Sequence, residues 1–182
     1  MREVVLQMSV SLDGFVASPQ GGLGGSLPED REQTNWKLER LRETGVHIMG
    51  RVTYEEMAAY WPTGPAPYAP LMNSIPKVAF SSTLTEASWS ETRVARGDLA
   101  GEIAELKQQP GKDIMAHGGA AFVQALSGHG LIDEYRLAIQ PVALGAGLPL
   151  FKDMPAALRL SLVEARRFET GAVGHVYRPL RS

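Results

Sequence analysis

Residues 46–55 read VHIMGRVTYE and form the most informative stretch of the chain. A short apolar run ends at Gly50, the cation Arg51 follows at once, the hydroxyl of Thr53 comes next, and the residues beyond can form a helix. Backbone N–H groups at a helix start attract anions, and a guanidinium binds phosphate oxygens in pairs. The stretch predicts a phosphate-binding strand-to-helix junction, although Gly50 and Arg51 alone are equally compatible with a tight turn and a solvated side chain.

The composition of the chain fits a globular enzyme or binding protein. It has 182 residues, of which 44% are hydrophobic and 21% are charged, and these proportions are ordinary for a water-soluble domain. The formal net charge of −2 argues against a nucleic-acid partner. No apolar run approaches a membrane span, and the N-terminal residues do not resemble a signal peptide. We expect a single domain over residues 1–182, located in the cytoplasm, with no membrane contact.

Hydrophobic periodicity predicts eight strands and four helices. The predicted strands are residues 4–10, 46–49, 77–81, 92–95, 113–116, 134–139, 158–163 and 174–178, and the predicted helices are 28–42, 52–60, 99–109 and 120–126. Strands and helices alternate at first, and the last strands follow one another without helices. This order predicts an α/β fold with a mixed sheet, mostly parallel, that has an antiparallel C-terminal edge. The prolines between residues 62 and 70 predict an irregular segment.

Three predicted strands end in groups that suit phosphate. Ligands of open α/β sheets bind beyond the carboxyl ends of the strands, where residues 49–53, 80–83 and 116–120 fall. The second segment has three adjacent hydroxyl groups and the third has a double glycine before a helix. Taken alone, hydroxyl clusters and double glycines are common in turns and caps. Together, the three segments favour a ligand with several separated phosphates, such as a dinucleotide.

The same segments resemble a known superfamily. Residues 49–55 (MGRVTYE) resemble the Gly-Arg-x-Thr segment of dihydrofolate reductases, and residues 80–83 (FSST) resemble that family's second cofactor segment. Residues 11–17 (SLDGFVA), 130–137 (GLIDEYRL) and 141–151 (PVALGAGLPLF) are more similar to the reductase domain of bacterial riboflavin biosynthesis. The resemblance extends from about residue 4 to residue 178. The chain is identified as a stand-alone member of this dihydrofolate-reductase-like superfamily.

The resemblance implies a three-layer fold, an eight-stranded sheet flanked by about four helices, and an NADPH cofactor. It also implies hydride transfer to a small heterocyclic substrate, as in 5-amino-6-(5-phosphoribosylamino)uracil reduction. Residues 21–25 would form a mobile loop that closes over the reaction. The cofactor-binding residues implied by the resemblance are Val16, Ala17, Gly50, Arg51, Thr53, Ser81, Ser82, Gly118, Gly119 and Ala120.

The substrate side departs from the dihydrofolate reductase pattern. Those enzymes place a carboxylate on the first helix to hold the pterin ring, whereas the matching residues 33–35 here include no acid. Asp13 is the candidate catalytic acid, although an Asp-Gly turn explains it equally well. Glu32, Trp36 and Tyr54 are candidate substrate contacts, and the two aromatic residues are equally compatible with a place in the core.

Three functional hypotheses remain open. The first is a riboflavin-biosynthesis-type reductase, the second is a dihydrofolate or pterin reductase, and the third is a regulatory domain that binds NADPH without turnover. The chain has no cysteine and its four histidines are scattered, so we expect no metal site. The late strands leave an apolar edge that ought to be covered, which predicts a homodimer.

Overall fold

The computed structural model describes residues 1–24 and 28–180. Its strands are β1 (Val4–Ser11), β2 (Phe15–Ala17), β3 (Thr44–Gly50), β4 (Lys77–Phe80), β5 (Thr92–Ala95), β6 (Asp113–Ala116), β7 (Glu134–Gln140), β8 (Leu148–Pro149), β9 (Leu160–Arg167) and β10 (Val173–Pro179). The α-helices are α1 (Arg31–Arg42), α2 (Arg51–Tyr60), α3 (Ala69–Ser74), α4 (Leu99–Gln108) and α5 (Ala120–Gly128), and Trp61–Thr63 form a 3-10 turn.

Eight of these strands form one mixed sheet in the order β5-β4-β3-β6-β1-β7-β10-β9. The pairings from β5 to β7 are all parallel, and β10 is antiparallel to both β7 and β9. The predicted mixed sheet with an antiparallel C-terminal edge is therefore confirmed. A separate two-stranded ladder joins β2 to β8. Because β1, β3, β4 and β6 run in the same direction, their carboxyl ends lie along one edge, where a ligand is expected.

Side chains alternate between the two faces along each strand. Both faces of the sheet are therefore apolar, and helices cover both. Ile48 points to one face, where α4 and α5 contribute Ile103 and Val123 to a buried cluster. Met49 points to the other face and packs in a cluster with Leu41 of α1. A third cluster contains Trp36, Phe168 and Val176 and lies on the antiparallel part of the sheet. Each central strand is thus buried on both faces, as expected for parallel strands.

The proline-rich stretch is more regular than the sequence suggests. Pro62 and Pro70 lie within the first two positions of the 3-10 turn and of α3, where the missing N–H group would be unpaired in any case. The prediction of a wholly irregular segment is wrong for this reason, and α3 makes five α-helices instead of four.

Gly45 lies inside β3, where a Cβ atom would approach Lys112 O to 2.8 Å. In the described part of the chain, no helix has the length and apolarity to cross a membrane.

Candidate active site

Two helices begin at the carboxyl edge of the sheet without a capping side chain. α2 follows Gly50 and α5 follows Gly119, and neither start has a side-chain cap hydrogen bond. By contrast, the Asp30 carboxylate accepts a hydrogen bond from Gln33 N at 2.7 Å at the start of α1, and Asp98 caps α4 in the same way. Uncapped N–H groups in a first turn attract anions. The two glycine-capped starts are therefore suited to bind phosphate.

The starts of α2 and α5 contact each other. A Cβ atom on Gly119 would lie 3.0 Å from Thr53 Oγ1, and a Cβ atom on Gly50 would lie 3.1 Å from Phe122 Cβ. Gly119 also has a φ of 86° and a ψ of 107°, a conformation that residues other than glycine rarely adopt. Glycine is therefore required at this contact. The structure thus brings together the predicted residues Gly50, Arg51, Thr53, Gly118, Gly119 and Ala120.

The hydroxyl segment after β4 adjoins this contact, because β4 is the neighbour of β3. The Ser81 hydroxyl accepts hydrogen bonds from Thr83 N at 3.1 Å and Leu84 N at 2.9 Å, so it closes a turn. Ser82 is exposed. The Arg96 guanidinium donates to Leu84 O at 2.5 Å. Arg96 directly follows β5, as Arg51 directly follows β3, and sequence reasoning missed this second cation.

Arg51 is the first residue of α2 and has an exposed guanidinium. Its Nη1 atom contacts both carboxylate oxygens of Glu55, at 2.9 and 3.0 Å, one helical turn later. Exposed ion pairs of this kind contribute little to stability, about 0–1 kcal/mol. The guanidinium can therefore leave Glu55 for a more highly charged anion at small cost.

A cavity of about 490 Å³ lies beside β2 and the loop that follows it. It is lined by Ala17, Gly21, Gly147 and neighbouring residues. Of the two predicted residues in β2, Ala17 lines this cavity, whereas Val16 packs against the main buried cluster and is not part of the lining. Gly147 packs directly against Ala17 O and leaves no space for a side chain. Of the predicted loop at residues 21–25, Gly25 lies outside the described residues.

Asp13 ties the β1–β2 turn to the loop before β8. Its carboxylate accepts hydrogen bonds from Ser11 Oγ at 2.7 Å, Gly145 N at 2.7 Å and Leu144 N at 3.0 Å. The Ser11 hydroxyl, followed by the Gly145 and Leu144 amides, lowers the pKa of Asp13 to about 2. A carboxyl group with this pKa is ionised at neutral pH and is a poor proton donor. The contacts favour a structural role for Asp13, and the catalytic role stays a prediction.

Replacing Asp13 by asparagine tests this structural role. Because the folded-state pKa lies below the ordinary value of about 3.9, the stabilisation is present above about pH 4 and is lost as the pH falls towards 2. We expect Asp13→Asn to lower the Tm at pH 7 by about 2–4 °C, and the difference from the wild type to shrink at pH 3. Thermal unfolding at both pH values measures this. An unchanged Tm at pH 7 with lost turnover would instead support catalysis by Asp13.

A second cavity of about 220 Å³ lies between α1 and the ends of β1 and β7. Its lining includes Ser9, Glu29, Gln33, Lys37 and Gln140. The cavity is therefore polar, with hydroxyl, amide, carboxylate and ammonium groups on its wall. Donors and acceptors of this kind can match the ring edge of a pyrimidine or pterin.

Glu29 supplies a carboxylate on the substrate side that the sequence pattern does not reveal. It accepts hydrogen bonds from the Tyr68 hydroxyl and from Lys37 Nζ, the latter at 2.9 Å. Burial opposes ionisation of Glu29, but the bonds from Tyr68 and Lys37 outweigh it and lower the pKa of this carboxyl group. Burial and the Glu29 carboxylate raise the pKa of Tyr68. The sequence alone predicts that Glu29 lies on a solvated face, and the residue is exposed; its side chain also lines the cavity, which the sequence does not indicate.

The three predicted substrate contacts do not line this cavity. Trp36 is 1% exposed, donates from Nε1 to Glu164 Oε1 at 3.1 Å and packs against Phe168. Tyr54 is 2% exposed, and its hydroxyl accepts a hydrogen bond from Trp89 N at 2.9 Å. The expectation that these rings stack on a substrate is therefore corrected, because both belong to the core. Glu32 is exposed in the first turn of α1 and is not part of the cavity lining.

A buried histidine pair lies next to the double glycine. His117 Nε2 and His47 Nδ1 are 2.8 Å apart, and this bond joins the residue that follows β6, just before Gly118, to the middle of β3. Burial lowers the pKa of His117 to about 4 and holds the pKa of His47 well below 6.5. Both rings are therefore neutral at pH 7, and the pair ties the end of β6 to the neighbouring strand β3. The described residues contain no cluster of histidine, aspartate and glutamate that could hold a metal ion.

Solved structures share this architecture along the whole chain. A protein from Shewanella sp. PV-4 named for riboflavin biosynthesis superposes with a TM-score of 0.81 and 24% identity, covering 100% of both chains. Dihydrofolate reductase from Enterococcus faecalis complexed with NADP(H) gives a TM-score of 0.65 and 12% identity, covering 97% of this chain and 96% of that one. The chain therefore has the dihydrofolate-reductase-like fold.

Sequence comparison gives the family within this class. The family model for the RibD C-terminal domain matches residues 2–173, and the chain belongs to this family. The uncharacterized protein YyaP of Bacillus subtilis (strain 168) is 32% identical over 182 residues, which cover 97% of this chain and 94% of YyaP. The structure of a diaminohydroxyphosphoribosylaminopyrimidine deaminase/5-amino-6-(5-phosphoribosylamino)uracil reductase from Thermotoga maritima has a TM-score of 0.69 and 15% identity to this chain. This chain aligns over 98% of its own length and 57% of that enzyme. The identification made from the sequence is confirmed.

Proposed function

We propose that the protein is an NADPH-dependent reductase of the riboflavin-biosynthesis type, which transfers hydride to a small pyrimidine such as 5-amino-6-(5-phosphoribosylamino)uracil. The observation that carries this proposal is the contact between two uncapped helix starts, in which Gly119 lies against Thr53. Two adjacent anion sites at one sheet edge suit the phosphates of a dinucleotide. The family of the chain and the name of the Thermotoga maritima relative support the reaction class.

The residues at this edge fit NADPH in chemical character. The first turns of α2 and α5 would hold phosphate groups, because their N–H groups have no capping side chain. Arg51, Arg96 and Ser82 would surround the 2′-phosphate of the adenosine ribose. The cavity beside Ala17 would receive the nicotinamide, because its lining is largely apolar and rich in small residues. When bound, NADPH supplies the hydride, and the protein supplies orientation and electrostatics.

The polar cavity beside α1 would hold the substrate. The amides of Gln33 and Gln140 offer both donors and acceptors, which a uracil ring requires along its edge. Reduction of a C=N or C=O bond needs a proton as well as a hydride. Lys37 and Tyr68 carry the protons nearest to Glu29, and this group of three residues would exchange a proton with the substrate at the cavity.

A pterin or dihydrofolate reductase is the second candidate. The Glu29 carboxylate favours it, because dihydrofolate reductases hold the pterin with an acid on the first helix and Glu29 offers a carboxylate two residues before α1. A regulatory domain that binds NADPH without turnover is the third candidate. The absence of an acid at residues 33–35, the part of the first helix that matches the acid-bearing region of those enzymes, favours this third candidate.

Binding and turnover measured on the purified protein distinguish the three candidates. We expect NADPH to bind in a titration and to be oxidised when the aminouracil ribotide is added, as followed by nicotinamide absorbance. Oxidation with dihydrofolate but not with the pyrimidine would indicate the second candidate. Tight binding of NADPH, without its oxidation in the presence of either the pyrimidine or dihydrofolate, would indicate the regulatory domain. Absence of NADPH binding would refute the proposed function as a whole.

A further inference from the structure

The buried histidine pair costs stability, and the fold alone gives no reason for it. His47 is 0% exposed and His117 is 9% exposed. His47 Nε2 is sealed from solvent and makes no complete hydrogen bond. A buried polar atom in this state costs free energy, so two apolar side chains would stabilise the neighbouring strands better. A cost of this kind at the ligand edge of the sheet points to a role in binding.

His117 lies on the face of the sheet that α1 covers. Leu6 pairs with Ala116 in the β1–β6 ladder, so the next residues, Gln7 and His117, are neighbours that point to the same face. The Gln7 amide donates to Lys37 O of α1 at 3.3 Å, and the Lys37 side chain lines the polar cavity. His117 therefore adjoins the α1 side of the cleft as well as the double glycine that it directly precedes.

The surroundings of His47 determine where the protons of the pair lie. Burial, the His117 ring and Lys77 lower the pKa of His47, whereas the backbone of Leu71 in α3 raises it. A carbonyl group raises a histidine pKa by facing a ring N–H. Because His117 occupies Nδ1 of His47, the N–H that faces Leu71 is on Nε2, although the geometry falls short of a full hydrogen bond. His47 Nδ1 then has a lone pair and accepts from His117 Nε2–H.

This arrangement leaves an unprotonated nitrogen on the open side of the pair. His117 Nδ1 has no hydrogen-bond partner among the described residues, and it is not sealed from solvent as His47 Nε2 is. Burial lowers the pKa of His117 to about 4, so at pH 7 the ring is neutral and Nδ1 keeps its lone pair. The bond to His47 fixes the ring, and His117 therefore presents an acceptor of fixed direction at the cleft.

We propose that His117 Nδ1 accepts a hydrogen bond from a ring N–H or amino group of the substrate, and that His47 positions His117 for this contact. The proposal rests on the proposed function in one respect, because it takes the cleft beside α1 as the substrate site. It restricts the substrate to heterocycles with an N–H donor, such as an aminouracil. Because Nδ1 carries no proton, His117 selects the substrate and does not protonate it.

The carboxamide of nicotinamide is another N–H donor of the same chemistry. The cavity assigned to nicotinamide lies beside β2 and is lined by Ala17 and Gly147. The surroundings of His117 are instead tied to α1 through Gln7. The geometry therefore favours the substrate as the donor, and separate titrations with a pyrimidine and with NADPH distinguish the two sources.

Two substitutions of His117 separate the free acceptor from the bond to His47. Glutamine places its amide where the ring has Nε2, so His117→Gln keeps a partner for His47 and removes the acceptor at Nδ1. Asparagine places its amide where the ring has Nδ1, so His117→Asn does the reverse. We expect His117→Gln to weaken calorimetric binding of 5,6-diaminouracil by about 10–100-fold. His117→Asn should weaken this binding by less than about fivefold, although it lowers the Tm more than His117→Gln does.

His175→Gln is the matched control for these variants. It makes the same change in β10, where His175 Nδ1 contacts the Tyr177 hydroxyl at 3.2 Å, and it should leave binding of the pyrimidine and of NADPH unchanged. A second control changes the ligand. Because 1,3-dimethyluracil has no N–H group, it should bind the wild type and His117→Gln with the same low affinity.

Nitrogen NMR of the imidazole rings tests the proton positions and requires neither ligand nor turnover. At pH 7 we expect both rings of the pair to carry a proton on Nε2 and none on Nδ1. His47→Asn keeps an amide oxygen near the place of Nδ1 and should preserve this state of His117. His47→Leu removes the acceptor, so a His117 form protonated on Nδ1 should appear and pyrimidine affinity should fall by about fivefold. A merely structural role of His47 would not change the proton position in His117.

Each outcome decides the proposal. It stands if His117 Nδ1 is unprotonated and if His117→Gln loses affinity for 5,6-diaminouracil but not for NADPH. A proton on His117 Nδ1, or weaker binding by His117→Asn than by His117→Gln, would overturn it and would make the pair purely structural. Equal losses of pyrimidine and NADPH affinity would overturn it and would assign the acceptor to the nicotinamide carboxamide.

Failure of the proposed function gives a different result. A wild type that binds NADPH but not 5,6-diaminouracil would overturn the inference about His117 and leave the cofactor assignment intact. A wild type that binds no NADPH would refute the proposed function. In that case the pyrimidine titration without cofactor and the NMR spectra still decide whether His117 is a ligand acceptor.

Discussion

Gly119→Ala is expected to raise the dissociation constant of NADPH about a hundredfold. Gly119 has φ 86° and ψ 107°, outside the regions open to residues with a Cβ atom. The Cβ atom of the introduced alanine would also approach Thr53 Oγ1 to 3.0 Å. Both effects force the start of α5 away from the start of α2. Backbone strain of this kind costs about 1–3 kcal/mol, and the displaced N–H groups no longer converge on the phosphates.

Gly130→Ala is the matched control for this variant. Gly130 also has a positive φ, 63°, but a Cβ atom there would meet nothing within 4 Å. It follows α5 at the opposite end of that helix from Gly119. We expect Gly130→Ala to lower the Tm through backbone strain of about 1–2 kcal/mol and to leave NADPH affinity unchanged. Isothermal titration and thermal unfolding of both variants measure the two effects. If Gly119→Ala bound NADPH as tightly as the wild type, the phosphate assignment of this helix start would be lost.

Local sequence patterns predicted most of the fold, because the relevant forces act within a few residues. A short apolar run marks a buried strand such as β3, and an acid such as Asp30 marks a helix start through a contact three residues away. The proline-rich segment was mispredicted, because Pro62 and Pro70 are harmless in a first turn and disruptive further along a helix. Only the positions of the helix ends decide which case applies.

The candidate site was less predictable, because its side chains depend on distant partners. Glu29 becomes a cavity residue through Tyr68, which is 39 residues away. Asp13 is occupied by amides 131 and 132 residues away. Trp36 and Tyr54 are aromatic residues, and an aromatic residue type is equally compatible with a ligand cleft and with the core. The sequence did predict Gly50 and Gly119 as site residues, because the backbone geometry there requires glycine and the residue type itself shows this requirement.

Arg51→Ala is expected to weaken NADPH binding by about 10–100-fold and to change NADH binding by less than about threefold. The two cofactors differ only in the 2′-phosphate, so the ratio of their affinities isolates interactions with that group. Arg51 lies at the start of α2, where the helix dipole and the guanidinium attract the same anion. Ser82→Ala should show the same selectivity with a smaller effect, since it removes a single neutral hydrogen bond.

Arg93→Ala separates a phosphate contact from a general loss of positive charge. Arg93 and Arg51 are 50% and 44% exposed, and each forms an ion pair with a glutamate. Arg93 lies within β5 and not at a helix start, so its removal should weaken both cofactors equally and by less than about threefold. Equal losses of NADPH and NADH in Arg51→Ala would contradict the 2′-phosphate assignment and would move Arg51 to the pyrophosphate. A selective loss in Arg51→Ala alone would show that the GRVT segment determines which cofactor is bound, because the charge lost is the same in both variants and only its position differs.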